Sequence, residues 1–126
     1  MELLYRGLVG EALRTSKQYA PVIKTTDDTF KRGEHLIGCL KARLDELKGE
    51  NFGIERVSIF AEIYELYLNL LKEYVMTLED IIAYAQVRRN VEGGYEEHWY
   101  AEKEDIDRIG KKKTSEHITY QMLKAD

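Results

Sequence analysis

The hydrophobic positions between Ile54 and Asn90 dominate the chain. Val57, Phe60, Tyr64, Tyr67, Leu71, Tyr74, Leu78, Ile81 and Ala85 recur at alternating spacings of three and four, the period of one face of an α-helix. Ile59, Ile63, Leu66 and Leu70 widen that stripe, and Ala61, Leu68 and Val75 leave only a narrow polar strip of Glu62, Glu65, Asn69, Lys72, Glu73, Glu79 and Asp80. A helix apolar over most of its circumference needs neighbours on most sides. The pattern therefore predicts one long central helix over 54–90, packed against the rest of the chain.

Two further helices are expected before it. Leu4, Leu8 and Ala12, flanked by Tyr5, Val9, Leu13 and Tyr19, give an apolar face to a helix over Glu2–Ala20 that Pro21 brings to a stop. Gly7 and Gly10 suit close packing of that helix on another. After an extended connection, Asp27 or Asp28 is placed to cap a second helix running to about Lys48. Its buried line is Phe30, Gly33, Ile37, Leu40, Leu44 and Leu47, with Leu36 beside it and Cys39 on the flank. Residues 49–53 read as a turn between antiparallel neighbours.

Beyond the long helix, Gly93-Gly94 offer the permissive backbone of a helix C-terminus. Arg88 and Arg89 lie in the last turn, where they oppose the negative end of the helix dipole. A charged helix over 95–109 and a short last helix carrying Ile118, Tyr120, Met122 and Leu123, with Ser115 as a candidate N-cap, complete the expectation. The fold class is all-α: a small bundle of three main helices around a long central one, plus one or two short C-terminal helices. The chain reads as a single domain, 1–126, with the bundle in 1–92 and a charged extension in 93–126.

Composition fits an ordered globular chain, since charged residues make up 33% of it beside an ample apolar set. A single cysteine excludes an internal disulfide, no signal-peptide pattern is present, and no window reaches the roughly 20 apolar residues of a membrane span. The expected location is cytoplasmic, with no membrane partner. Net charge is −4, and seven acids fall between Glu92 and Asp107, which leaves no broad footprint for a phosphate backbone. The scarcity of Gln and Asn, one proline and frequent tyrosine lean towards a thermophilic source.

Candidate chemistry is sparse. None of the three histidines has a glutamate three residues before it, which a di-iron bundle would need, and the scattered histidines and Cys39 do not suit zinc. No metal ligand set and no cofactor is expected. Glu62 and Glu65 resemble the Glu-x-x-Glu pair of all-helical nucleotide pyrophosphohydrolases, with Glu102 and Asp105 as the one later candidate for the second cluster such enzymes use. Arg89-Asn90 resembles the start of the Arg-polar-x4–6-His motif of HEPN-like ribonucleases, but His98 falls too far along. The resemblances would imply a helical nucleotide hydrolase or a ribonuclease.

The remaining constellation is aromatic. Tyr95, Trp99 and Tyr100 adjoin Arg88, Arg89 and His98, and Tyr, Trp and Arg are the types enriched at binding hot spots. These six residues are the expected partner-binding surface, with Lys111, Lys112 and Lys113 as a local nucleic-acid contact. The leading functional expectation is a non-enzymatic helical interaction protein, either a small subunit of a larger assembly or a virus-type accessory or inhibitor protein. It would bind another protein or itself, as a homo-oligomer through the central helix. A nucleic-acid-associated subunit is a further alternative.

Overall fold

The computed structural model describes residues 2–49 and 53–110. Every regular element among them is helical: α1 (Gly7–Thr15), a 3-10 turn (Ala20–Val22), α2 (Thr29–Glu46), α3 (Ile54–Glu73), α4 (Leu78–Glu92) and α5 (Lys103–Gly110). The chain divides into two compact units, residues 1–81 and 82–126. The expected helix around Ile118 and its Ser115 cap lie outside the described residues.

The first unit is organised by α2 packing on α3. Asp28 caps α2 as its position suggests, its carboxylate accepting a hydrogen bond from the Phe30 backbone N–H at 3.0 Å. The two helices run antiparallel, because the first turns of α2 meet the end of α3. Arg32 Nε donates to Glu73 Oε1 at 2.7 Å. One residue along, Gly33 is buried, and a Cβ built there would stand 3.2 Å from the Tyr74 hydroxyl. Glycine at 33 thus lets the Tyr74 ring close over α2. Leu36 and Leu71, at 8% and 7% exposure, are the buried apolar side chains among the described residues.

The long central helix is corrected by the structure. Residues 74–77 interrupt it, and the interruption is a capped helix terminus. Met76 N–H donates to Leu71 O at 2.8 Å and Val75 N–H to Lys72 O at 3.0 Å, the paired 6→1 and 5→2 bonds of a Schellman motif. Val75 occupies the position that glycine normally fills, with φ +56. Thr77 then opens α4, its hydroxyl accepting from the Asp80 N–H at 3.2 Å, in the N-cap to N3 geometry. The periodic apolar stripe carries across both helices, which is why spacing alone suggested one.

The expectation that this helix is surrounded is corrected as well. Ile59, Ile63, Leu66 and Leu70 are only partly exposed, while Ile54, Val57, Phe60 and Tyr64 on another face of α3 stand exposed. In α4, Ile82, Tyr84, Val87 and Val91 are exposed too. The stripe on α3 is therefore covered unevenly: Ile54, Val57, Phe60 and Tyr64 are exposed, whereas Leu71 further along is buried.

Two other boundaries differ. The first helix is shorter than 2–20: it ends at Thr15, where the Ser16 Oγ accepts from the Gln18 N–H at 3.2 Å and diverts the backbone into a local turn. Pro21 sits inside the 3-10 turn that follows. The charged C-terminal helix occupies 103–110 and not 95–109, because a turn, with His98 N–H donating to Tyr95 O, takes up the first part. The α5 register is supported by the i,i+4 pair Lys103–Asp107 at 2.7 Å. At the end of α4, Gly93 adopts φ +87, the role its position suggested.

Two outcomes follow for denaturation measurements. Leu36→Ala and Leu71→Ala should each cost about 2 to 4 kcal/mol, whereas Phe60→Ala, 56% exposed, should cost less than about 1 kcal/mol in the monomer. Val75→Gly should stabilise the chain by about 0.5 to 1 kcal/mol, since it relieves the left-handed conformation of a β-branched residue that is 91% exposed and has little packing to lose. A helix-interior glycine would have the opposite sign.

Candidate functional site

The expected partner-binding residues fall on α4 and the segment after it. Arg88 and Arg89 are on the last turn of α4, and both are engaged. Arg88 Nη2 lies 2.6 Å from Glu92 Oε1, a contact that raises the Arg88 pKa through the Glu92 hydrogen bond first. Arg89 Nη2 reaches across the paired glycines to Glu96 Oε2 at 2.8 Å. The Arg89 hydrogen bond holds the Glu96 carboxyl below its ordinary range.

Gly93 supplies the left-handed turn, and Gly94 leaves the space for that ion pair: a Cβ on Gly94 would fall 2.5 Å from both Arg89 Nη1 and Glu96 Oε1. The chain next turns at Tyr95–His98, with His98 at φ +58. The His98 and Tyr100 rings meet edge to face, 5.9 Å between centroids at 66°. The outcome is a braced bend carrying three rings into solvent: Tyr95, Trp99 and Tyr100 are 97%, 90% and 85% exposed. Lys111, Lys112 and Lys113 lie outside the described residues.

The first unit holds a second arrangement that spacing did not reveal. Residues 2–6, expected to be helical, have no regular structure and lie across α2 and α3. Arg6 donates from Nη2 to Glu62 Oε2 and Glu65 Oε1, each at 2.7 Å, and from Nη1 to Glu65 Oε2 at 3.1 Å. The two carboxylates that resemble a metal-binding pair therefore grip a guanidinium. The bonds to Glu65 and then Glu62 raise the Arg6 pKa, and Arg6 lowers that of Glu65. At the other end of the segment, Glu2 Oε1 lies 2.7 Å from His35 Nε2. That hydrogen bond is the main reason the Glu2 carboxyl titrates below its ordinary range, with the charge of Lys31 adding to it.

Beside this segment is a cleft of about 470 Å³, walled by residues 2–5, the 23–26 connection, the start of α2 and the end of α3. Lys31, Arg32, His35, Leu36, Asn69 and Glu73 line it from the helices. Arg32 is held there by Glu73 and by the Thr26 carbonyl, to which Nη1 donates at 3.3 Å. Glu102 and Asp105 belong to the second unit. Among the described residues no group of three or more His, Cys, Asp or Glu side chains converges as a metal site, and no helix is long and apolar enough to cross a membrane.

Comparison with protein-family models, with curated proteins and with solved structures finds no match for the chain.

The Glu2–His35 contact carries a pH signature. A carboxyl whose folded pKa is depressed stabilises its contact above the ordinary carboxylate range and loses that contribution as pH falls through the depressed value. NMR titration should place the Glu2 midpoint below that of an unstructured glutamate, and His35→Gln should shift it back up. An unshifted Glu2 in the native chain would contradict the contact.

Proposed function

We propose that this chain is a non-enzymatic helical interaction protein, a cytoplasmic small subunit or an accessory or inhibitor protein, that acts by binding another protein or itself. The observation that carries this reading is the exposure of Tyr95, Trp99 and Tyr100 on a bend whose backbone is fixed by Gly93, the His98 turn and the Arg89–Glu96 pair. A bend whose backbone is already fixed loses little chain freedom on docking, and an aromatic anchor gains most when a partner pocket desolvates it. The uncovered face of α3, with Ile54, Val57, Phe60 and Tyr64, adds apolar surface that a partner or second copy would cover.

Trp99 is the single tryptophan, so its fluorescence reports on this bend without interference. Acrylamide should quench it as a solvated indole in dilute protein, and quenching should fall as the chain associates at tens of micromolar or on titration with a captured partner. Trp99→Ala should leave thermal melting near native while weakening the association by at least about 1 to 2 kcal/mol, the usual size for an anchor residue. A variant that melts early, or one that associates as the native chain does, would remove the bend from the binding surface. A sedimentation mass equal to the 14.7 kDa monomer throughout would remove self-association.

A further inference from the structure

Among the described residues, two that are not glycine hold a positive φ: Val75 and His98. Histidine tolerates that conformation far better than valine, whose branched Cβ crowds the following carbonyl. Strain of this kind persists only where the surroundings enforce it. Side-chain packing does not enforce it here, because Val75 is 91% exposed. The left-handed turn is held instead by hydrogen bonds: Val75 N–H to Lys72 O, Met76 N–H to Leu71 O, and the Asp80 N–H to the Thr77 hydroxyl.

An unbroken ladder is open to the same residues. Residues 74–77 are Tyr-Val-Met-Thr, with neither glycine nor proline, and each is tolerated inside a helix. Tyr74 is already near helical values at φ −92 and ψ 10, so Val75 is the residue whose φ must change sign. In a continuous helix Val75 N–H donates to Leu71 O and Met76 N–H to Lys72 O. These are the two carbonyls used now, with their donors exchanged. None of the α4 residues is buried, so core packing does not tie that helix to the bent geometry. The two forms differ in one further respect. At the break lies a groove of about 440 Å³, lined by Leu68 and Leu71 before it and by Met76, Thr77 and Leu78 after it. A straight helix is convex all round and encloses no such space. We propose that residues 74–77 are a two-state joint: the chain exchanges between the bent form and one in which the helix runs unbroken through Val75, and that exchange opens and closes the groove. The joint is separate from the aromatic segment and does not depend on it.

NMR relaxation dispersion on the full native chain is the direct test. The amides of Val75, Met76 and Thr77 should show exchange on the μs–ms scale, with a minor form of about 1 to 10% whose Val75 Cα shift is helical. Two substitutions at exposed positions push the balance in opposite directions. Thr77→Ala removes the cap of the bent form and adds helix propensity to the straight one, so the straight population should rise about tenfold. Val75→Gly relieves the left-handed strain and weakens the straight helix, so dispersion at Met76 and Thr77 should vanish. Flat dispersion profiles in the native chain would overturn the proposal without recourse to either variant. A Thr77→Ala chain whose Val75 keeps a left-handed Cα shift, or two variants that move the balance the same way, would equally overturn it.

Discussion

The first unit depends on the close approach of α2 and α3. Where the start of one meets the end of the other, a glycine, a tyrosine ring and an ion pair lie within two residues of each other on each helix. Gly33 removes the one side-chain atom that would hold Tyr74 away, and Arg32 and Glu73 fix the register alongside. Leu36 and Leu71 are each about one helical turn or less further in, and they are the side chains this approach buries. Segment 2–6 and the cleft beside it are then laid out on a surface that exists only because those two helices are paired.

Charge takes over where apolar burial runs out. Around the helix pair, the contacts that join distant parts of the sequence are carried by Arg6, Arg32 and His35, each facing a carboxylate from another element. In the second unit the same device works over shorter range, through Arg88, Arg89, Lys103 and Arg108. Such contacts set direction and register more than they set stability, because water and salt compete for them. The combination leaves a fold with a narrow core and a large share of its apolar side chains available to another surface.

Helical class, a cap at Asp27 or Asp28 and the turn at Gly93 were all legible in the chain, because each depends on neighbours within a few positions. The two-helix nature of 54–92 was written there too, in Thr77-Leu-Glu-Asp80, but a valine stood where a glycine would have marked the end of α3. Continuous apolar spacing then outweighed the cap. The burial of that stripe was not legible, since periodicity tells which residues share a face and not whether another element reaches it. The aromatic cluster could be found from residue types alone, and its exposure follows from the bend. Nothing local announced that Arg6 would sit between Glu62 and Glu65, or Glu2 on His35. Pairings across more than 30 positions leave no periodic trace.

The left-handed valine has a consequence for how the helices form. A helix must nucleate before it can grow, and nucleation is the unfavourable step. Had residues 54–92 remained one helix, a single nucleus on the α2-packed half would have carried the rest by propagation. With the hydrogen-bond ladder closed off at Leu71–Met76, α4 has to start again from its own first turn. At 15 residues it is near the shortest length that holds together unaided in water. The Thr77 hydroxyl at one end and Gly93 at the other thus act as the retaining points of a segment that the helix before it can no longer extend.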